Sequence, residues 1–270
     1  MDIVRNKKLI EISNLTLEIF FKNENGIKTS KKLFNNLNFA LNKGEKLIFI
    51  DENGTGKSLL LNLIYSGLNN NLIRCGEGIN ISSGTIIYKG RNILIPDQNE
   101  RRPFVIITQE DAIRTNATIL STIYDSCAAN GIDYNSEYFQ EKISYYLKCF
   151  NLYEKRNTII GEHLFSFFFK NKNNSALSFG EKKIVNIISK LIIAEKCELL
   201  LIDEPLNHLS FKNSKIFNKL MCELVCSNPD LSIIVISHCK GINFVNEKIH
   251  FSKDKNEIIK EKFVSHNCFN

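Results

Sequence analysis

The chain has 270 residues, 43% of them hydrophobic and 24% charged, with a formal net charge of +6, which suits one large globular domain or a core with a subdomain. The positive excess is mild and spread along the sequence, so it reads as solvated surface, and no nucleic-acid partner is expected. No apolar run approaches the length that crosses a bilayer, and residues 1–8 lack the apolar stretch of a signal peptide. From the N-terminus, residues 9–21 and 33–41 look like β-rich arms separated by Asn, Lys and Gly turns.

The next run, Lys46, Leu47, Ile48, Phe49 and Ile50, leads into Asn53, Gly54, Thr55, Gly56, Lys57 and Ser58, and then into the helical pattern that starts at Leu59. A strand leads in, a helix leads out, and glycines sit where backbone amides must curl around oxygen atoms, as a phosphate-binding loop requires. The helix N-terminus adds partial positive charge, Lys57 can reach β- and γ-phosphates, and the Ser58 hydroxyl can bind Mg²⁺. A nucleoside triphosphate is therefore the expected ligand. Asp51 stands where the pattern has its first glycine. Aimed at a phosphate about 4 Å away, its carboxylate would cost about 4 kcal/mol at an effective dielectric of 20, so it points away, pairs with a cation or leaves the loop a weak nucleotide binder, the first being the favoured expectation.

Further along, residues 84–95 again look like a β-rich arm, and 104–107, 199–202 and 232–236 read as buried parallel strands, apolar throughout instead of alternating. Between them lie amphipathic stretches, one with Phe139, Ile143, Tyr146 and Phe150 on a single face, another with Ile184, Ile188 and Leu191. The region 111–174 is largely helical with polar faces and reads as an insertion, with 170–174 as a loop. This alternation implies an open α/β sheet with its ligand at the carboxyl ends of the strands. The eight cysteines are scattered without metal-ligand spacing, and Cys149, Cys197 and Cys239 fall in or beside apolar segments, so reduced thiols in a cytosolic setting are expected.

The strand 199–202 ends in Asp203 and Glu204. Delivered to a phosphate loop, the Asp can join an Mg²⁺ shell and the Glu can polarise an attacking water. Upstream, Leu177, Ser178, Phe179, Gly180 and Glu181 open a helix, with Ser178 and Glu181 spaced as a capping box.

Taken in order, these segments resemble the ATP-binding-cassette ATPases across nearly the whole chain. Asn53 to Ser58 matches the Walker A loop, and Asp203 with Glu204 matches the end of Walker B. Residues 177–181 look like the LSGGQ signature with Phe179 in place of its first glycine. Gln109 falls at the Q-loop, His238 at the switch histidine, and 205–210 at the D-loop with Ser210 where aspartate is usual. The resemblance implies an α/β fold: a P-loop NTPase (RecA-like) core with an antiparallel β-subdomain and an inserted α-helical subdomain. It divides the single domain, residues 1–270, into a β-rich arm over about 8–45 and 84–100, a helical subdomain over about 111–178, and the core.

It also implies roles. ATP is bound by Asn53, Gly54, Thr55, Gly56, Lys57, Ser58, Leu59 and Gln109, with Ser178 and Gly180 serving the nucleotide of a partner cassette. Mg²⁺ is held by Ser58, Gln109 and Asp203, while Glu204 and His238 act in hydrolysis. Phe20 or Phe21 is the candidate adenine-stacking aromatic. Two cassettes, identical or different, pair head to tail around two ATP molecules. Hydrolysis energises separate membrane-spanning transporter subunits, which hold this chain at the inner face of a membrane. Two alternatives stand beside this one. Residues 205–209 resemble the translation-associated, non-transport members, and Asp51, Phe179 and Ser210 would suit a degenerate regulatory cassette.

Overall fold

The computed structural model describes residues 8–22, 28–50, 52, 54–68, 78–95, 104–108, 116–161, 177–239 and 241–264. In chain order the elements are β1 (Lys8–Lys22), β2 (Lys28–Asn42), β3 (Lys46–Phe49), α1 (Lys57–Leu68), β4 (Ile79–Tyr88), β5 (Arg91–Asn92), β6 (Phe104–Ile107), α2 (Ile119–Ala129), α3 (Glu137–Cys149), α4 (Phe179–Ala194), β7 (Leu199–Asp203), α5 (Phe211–Ser227), β8 (Ser232–Ile236), β9 (Glu247–Phe251) and β10 (Ile258–Lys262). Asp51, Asn53, Gln109 and the loop 170–174 lie outside the described residues.

Two sheets form. The arm is antiparallel, in the order β2-β1-β4-β5, and its third strand begins at Ile79, ahead of the position the sequence pattern marks. The core sheet has the order β10-β9-β3-β8-β7-β6, parallel except for the edge pair β10 and β9. β8 is buried along its whole length and β7 up to Asp203. Burial on both faces explains why these strands are apolar throughout: Leu199 and Leu201 pack with α1 and the arm, while Leu200 and Ile202 pack with α4 and α5.

α4 departs from the amphipathic stripe expected of it. Besides Ile184, Ile188 and Leu191 it buries Val185, Ile187, Ile192 and Ile193, because it lies between the core sheet and the helices α2 and α3. A helix packed on two sides needs apolar residues around most of its circumference. α3 keeps the expected face, with Phe139, Ile143 and Tyr146 buried and Phe150 buried just past its end. The helix is tied to the end of α4 by one carboxylate: Glu195 accepts from Tyr138 (3.1 Å), Lys142 (2.9 Å) and the buried Tyr146 (3.0 Å). No helix among the described residues is long and apolar enough to cross a membrane.

The buried interior strands should contribute more to stability than the exposed edge. Leu201→Ala, at a fully buried position, is expected to cost about 2–5 kcal/mol, whereas Ile259→Ala on the exposed edge should stay within about 0.5 kcal/mol. Urea unfolding followed by circular dichroism checks both.

Candidate nucleotide-binding site

Register fixes where the site forms. Phe49 of β3 and Asp203 of β7 both pair with Ile236 of β8, so three adjacent parallel strands end level with one another. Beyond that row the chain leaves the sheet as loops, whose side chains converge at the carboxyl edge.

After β3 the backbone turns through Gly54 (φ +76°) and Gly56 (φ +104°) into α1. The φ of +104° at Gly56 favours glycine, and an added Cβ would also lie 2.9 Å from Leu33 Cδ2 and 3.0 Å from Phe34 Cζ, so those side chains would have to shift to admit it. The loop is braced from two sides. Thr55 Oγ1 donates to Glu52 O at 3.1 Å, and Lys255, in the turn between β9 and β10, donates to Thr55 O at 3.3 Å. Lys57 is only 6% exposed, and its ammonium donates inward to Glu52 O (2.7 Å) and Thr55 Oγ1 (3.4 Å). The positive charge thus lies across the mouth of the loop, where the helix N-terminus adds its own partial charge.

Across from the loop, Ser58 Oγ donates to Asp203 Oδ1 at 3.3 Å. Glu204 follows in left-handed conformation (φ +47°), its amide donating to Ile236 O at 2.9 Å. Its Oε1 is buried without a hydrogen bond, 3.4 Å from His238 Nε2. Burial lifts the Asp203 carboxyl above its ordinary value, against the pull of Ser58, Lys57 and Lys183. Burial lifts Glu204 as well, opposed by His238 and reinforced by Asp203. Two carboxylates short of compensation beside a hydroxyl form an oxygen-rich corner suited to a hard cation. Among the described residues no group of three or more His, Cys, Asp and Glu is arranged to hold a metal. Mg²⁺ in nucleotide sites needs only one or two protein oxygens, the phosphates supplying others, so the donor set fits.

These residues line one cavity of about 500 Å³: Ile19, Leu33, Gly54, Gly56, Lys57, Ser58, Leu59, Asp203, Glu204, Asn207, Ile236 and His238. Its size suits a nucleotide, apolar at the arm and polar at the strand ends. Thr55 belongs to the same loop. Ser178 and Gly180 do not line this cavity; they open α4, where Ser178 Oγ accepts from the Glu181 amide (3.2 Å) and Glu181 Oε2 from the Ser178 amide (2.9 Å). Asn53 and Gln109 lie outside the described residues. Phe20 and Phe21 are about half exposed and absent from the lining, so neither is a core aromatic. Strand alternation puts Phe21 on the face of Ile19, making it the nearer of the two in direction. Sequence reasoning missed Ile19, Leu33, Asn207 and Lys255 at this site, since only tertiary contacts bring them to the loop.

A family model described as ABC transporter matches residues 34–207. The cytochrome c biogenesis ATP-binding export protein CcmA of Reclinomonas americana is 30% identical over 255 residues, which span 93% of this chain and 92% of that protein. The chain belongs to the ABC transporter family. It is an ATP-binding cassette of the ATP-hydrolysing kind that energises transport. A putative ABC transporter ATP-binding protein of Bacillus cereus is 30% identical over 240 residues, or 88% of this chain, which spans 35% of that protein's length. Among solved structures, a dimeric bacterial ABC transporter cassette matches 95% of this chain and 100% of its own, with TM-score 0.67 at 20% identity. A dimeric post-hydrolysis cassette bound to ADP and phosphate matches over the same shares with TM-score 0.66 at 18% identity. The relatives favour transport over the translation-associated alternative.

The raised Glu204 has a consequence for stability. As pH rises past the ordinary value of 4.5, the unfolded chain ionises first, so stability falls through that window and stays lower above it. Glu204→Gln should therefore raise the melting temperature at neutral pH in buffer free of nucleotide and Mg²⁺. The gain should shrink as pH drops below the ordinary carboxylate value, which paired thermal melts at pH 4 and pH 7.5 would reveal.

Proposed function

We propose that this cassette binds Mg-ATP in the cavity at the strand ends, closes head to tail on a second cassette, and drives transport through separate membrane-spanning subunits at the inner face of a membrane. The observation that carries this reading is the convergence of Lys57, Ser58, Asp203, Glu204 and His238 on one cavity beside a loop of amides and a helix N-terminus. The dimeric solved cassettes support the pairing.

The roles follow from placement. The amides of 54–58 and the N-terminus of α1 receive the β- and γ-phosphates, with Lys57 swinging from Glu52 O to a phosphate oxygen. Ser58 and Asp203 are the residues that would hold Mg²⁺, with Gln109 joining them by resemblance, and the ion supplies neutralisation of phosphate charge. Glu204 orients water, its raised carboxyl well suited to take up a proton in passing. His238 contacts the γ-phosphate from the neighbouring strand end. Ile19 and Leu33 pack the base, with Phe21 available to stack on it from the tip of the arm. Ser178 and Gly180 present the N-terminus of α4 to the nucleotide of the partner cassette.

Lys57→Ala deletes a charge-assisted contact worth about 1.5–3 kcal/mol. ATP binding should weaken by about tenfold or more. Calorimetric titration showing an unchanged dissociation constant would contradict the placing of the loop.

Glu204→Gln is expected to behave differently: ATP binding kept, phosphate release nearly abolished, and an ATP-dependent dimer accumulating. Sizing chromatography with and without Mg-ATP, beside a phosphate-release assay, decides it. A monomer under both conditions with wild-type turnover would sink the assignment of Glu204.

A further inference from the structure

The turn that carries Glu204 rests on α4. Lys183, in the second turn of that helix, is 8% exposed, and its ammonium donates to Asn207 O at 2.7 Å and to Glu204 O at 3.4 Å. The same turn is closed by the Asn207 amide on Glu204 O (3.3 Å) and anchored to β8 by the Glu204 amide on Ile236 O (2.9 Å). Four residues before Lys183, and so on the same helical face, Phe179 sets its ring edge-on to His208 with centroids 5.2 Å apart. Between them in sequence, Gly180 would carry its Cβ 3.5 Å from His208 O. One face of α4 thus grips both ends of the segment 204–208.

That segment needs gripping. Glu204 (φ +47°) and His208 (φ +64°) are both non-glycine residues in the left-handed region, which persists only where the surroundings over-determine it. Burying an ammonium is costly unless donors and acceptors match, and an apolar residue would fill the same space more cheaply. Lys183 spends that cost on two carbonyls of a single turn. We propose that Lys183 is a positioning residue for hydrolysis: it fixes the turn 204–207 against α4 and thereby sets the direction of the Glu204 carboxylate in the cavity. The inference rests on the reading of Glu204 as the water-orienting carboxylate. It also makes α4 a rigid link, since a displacement of its N-terminus is passed to Glu204 of the same chain through Lys183.

The test separates positioning from structure. In Lys183→Met, kcat for ATP hydrolysis should fall by about tenfold or more while KM for ATP stays within about threefold. Lys183→Arg, which can still donate to both carbonyls, should keep kcat within about threefold of wild type. Glu204→Gln is assayed alongside. Wild-type kcat in Lys183→Met beside an inactive Glu204→Gln overturns the clamp alone, whereas wild-type turnover in Glu204→Gln overturns the reading on which the clamp rests. Should Lys183→Met fail to fold, Lys183→Gln carries the test with the same expected split, and wild-type kcat there overturns the proposal. So does a loss equal in the Arg and Met variants that follows their melting temperatures.

Discussion

Two neighbouring carboxylates held at the end of a buried strand set the terms for the rest of the site. Successive residues of an extended strand point to opposite faces, so Asp203 and Glu204 could not both reach one cavity if β7 ran straight on. The left-handed backbone at Glu204 breaks that alternation and brings both into the same lining. The arrangement costs twice, as backbone strain of about 1–3 kcal/mol and as desolvation of adjacent like charges. Lys57, Lys183 and His238 offset part of it, yet both carboxyls still sit above their ordinary values. A site so loaded is least stable alone and gains most from a ligand that brings a divalent cation, so on the proposed reading the same two residues couple binding free energy to catalytic readiness.

The core sheet turns that local tension into geometry. β3, β8 and β7 end level, and their side chains are locked into two apolar layers, one toward α1 and the arm, the other toward α4 and α5. Close-packed interiors yield little, so the loop at Gly56, the corner at Asp203 and the approach of His238 keep fixed spacing. The arm contributes by contact as well as by cover: Leu33 and Phe34 of β2 press on Gly56, and Ile19 of β1 closes the apolar end of the cavity.

What could be read from sequence follows from how local each signal is. The strand 46–49, the glycine turn and helix that follow it, and the strand that ends in Asp203 were legible because each segment is contiguous and the parallel strands are apolar without interruption. β9 and β10 were not: Glu247, Lys248 and His250, with Lys260, Glu261 and Lys262, give an edge ribbon whose stability comes from pairing with β3 and with each other, a contact no local pattern encodes. α4 read as amphipathic because three residues at helical spacing suffice for that pattern, whereas its second buried side depends on where α2 and α3 lie. Lys183 was not legible at all: only the fold shows that the carbonyls it meets belong to the turn of Glu204.

The same reasoning bears on the aromatic that replaces a signature glycine. A helix leaves its first four amides without intrahelical partners, and at α4 the capping box takes those of Ser178 and Glu181. On the proposed reading, the amides of Phe179 and Gly180 remain for an anion carried by a second cassette. Glu181 would repel that anion, but Lys155 lies 2.6 Å from its carboxylate and balances the charge locally. Phe179 would obstruct it if the ring lay over the helix end. Instead the ring, 59% exposed, is set edge-on to His208, and the Cβ of Phe179 sits on the side of the helix that faces the Glu204 turn. An aromatic at this position therefore exchanges close backbone access at one residue for a second grip on the turn 204–208. On the proposed reading, the helix that serves the partner cassette also holds this chain's own water-orienting carboxylate.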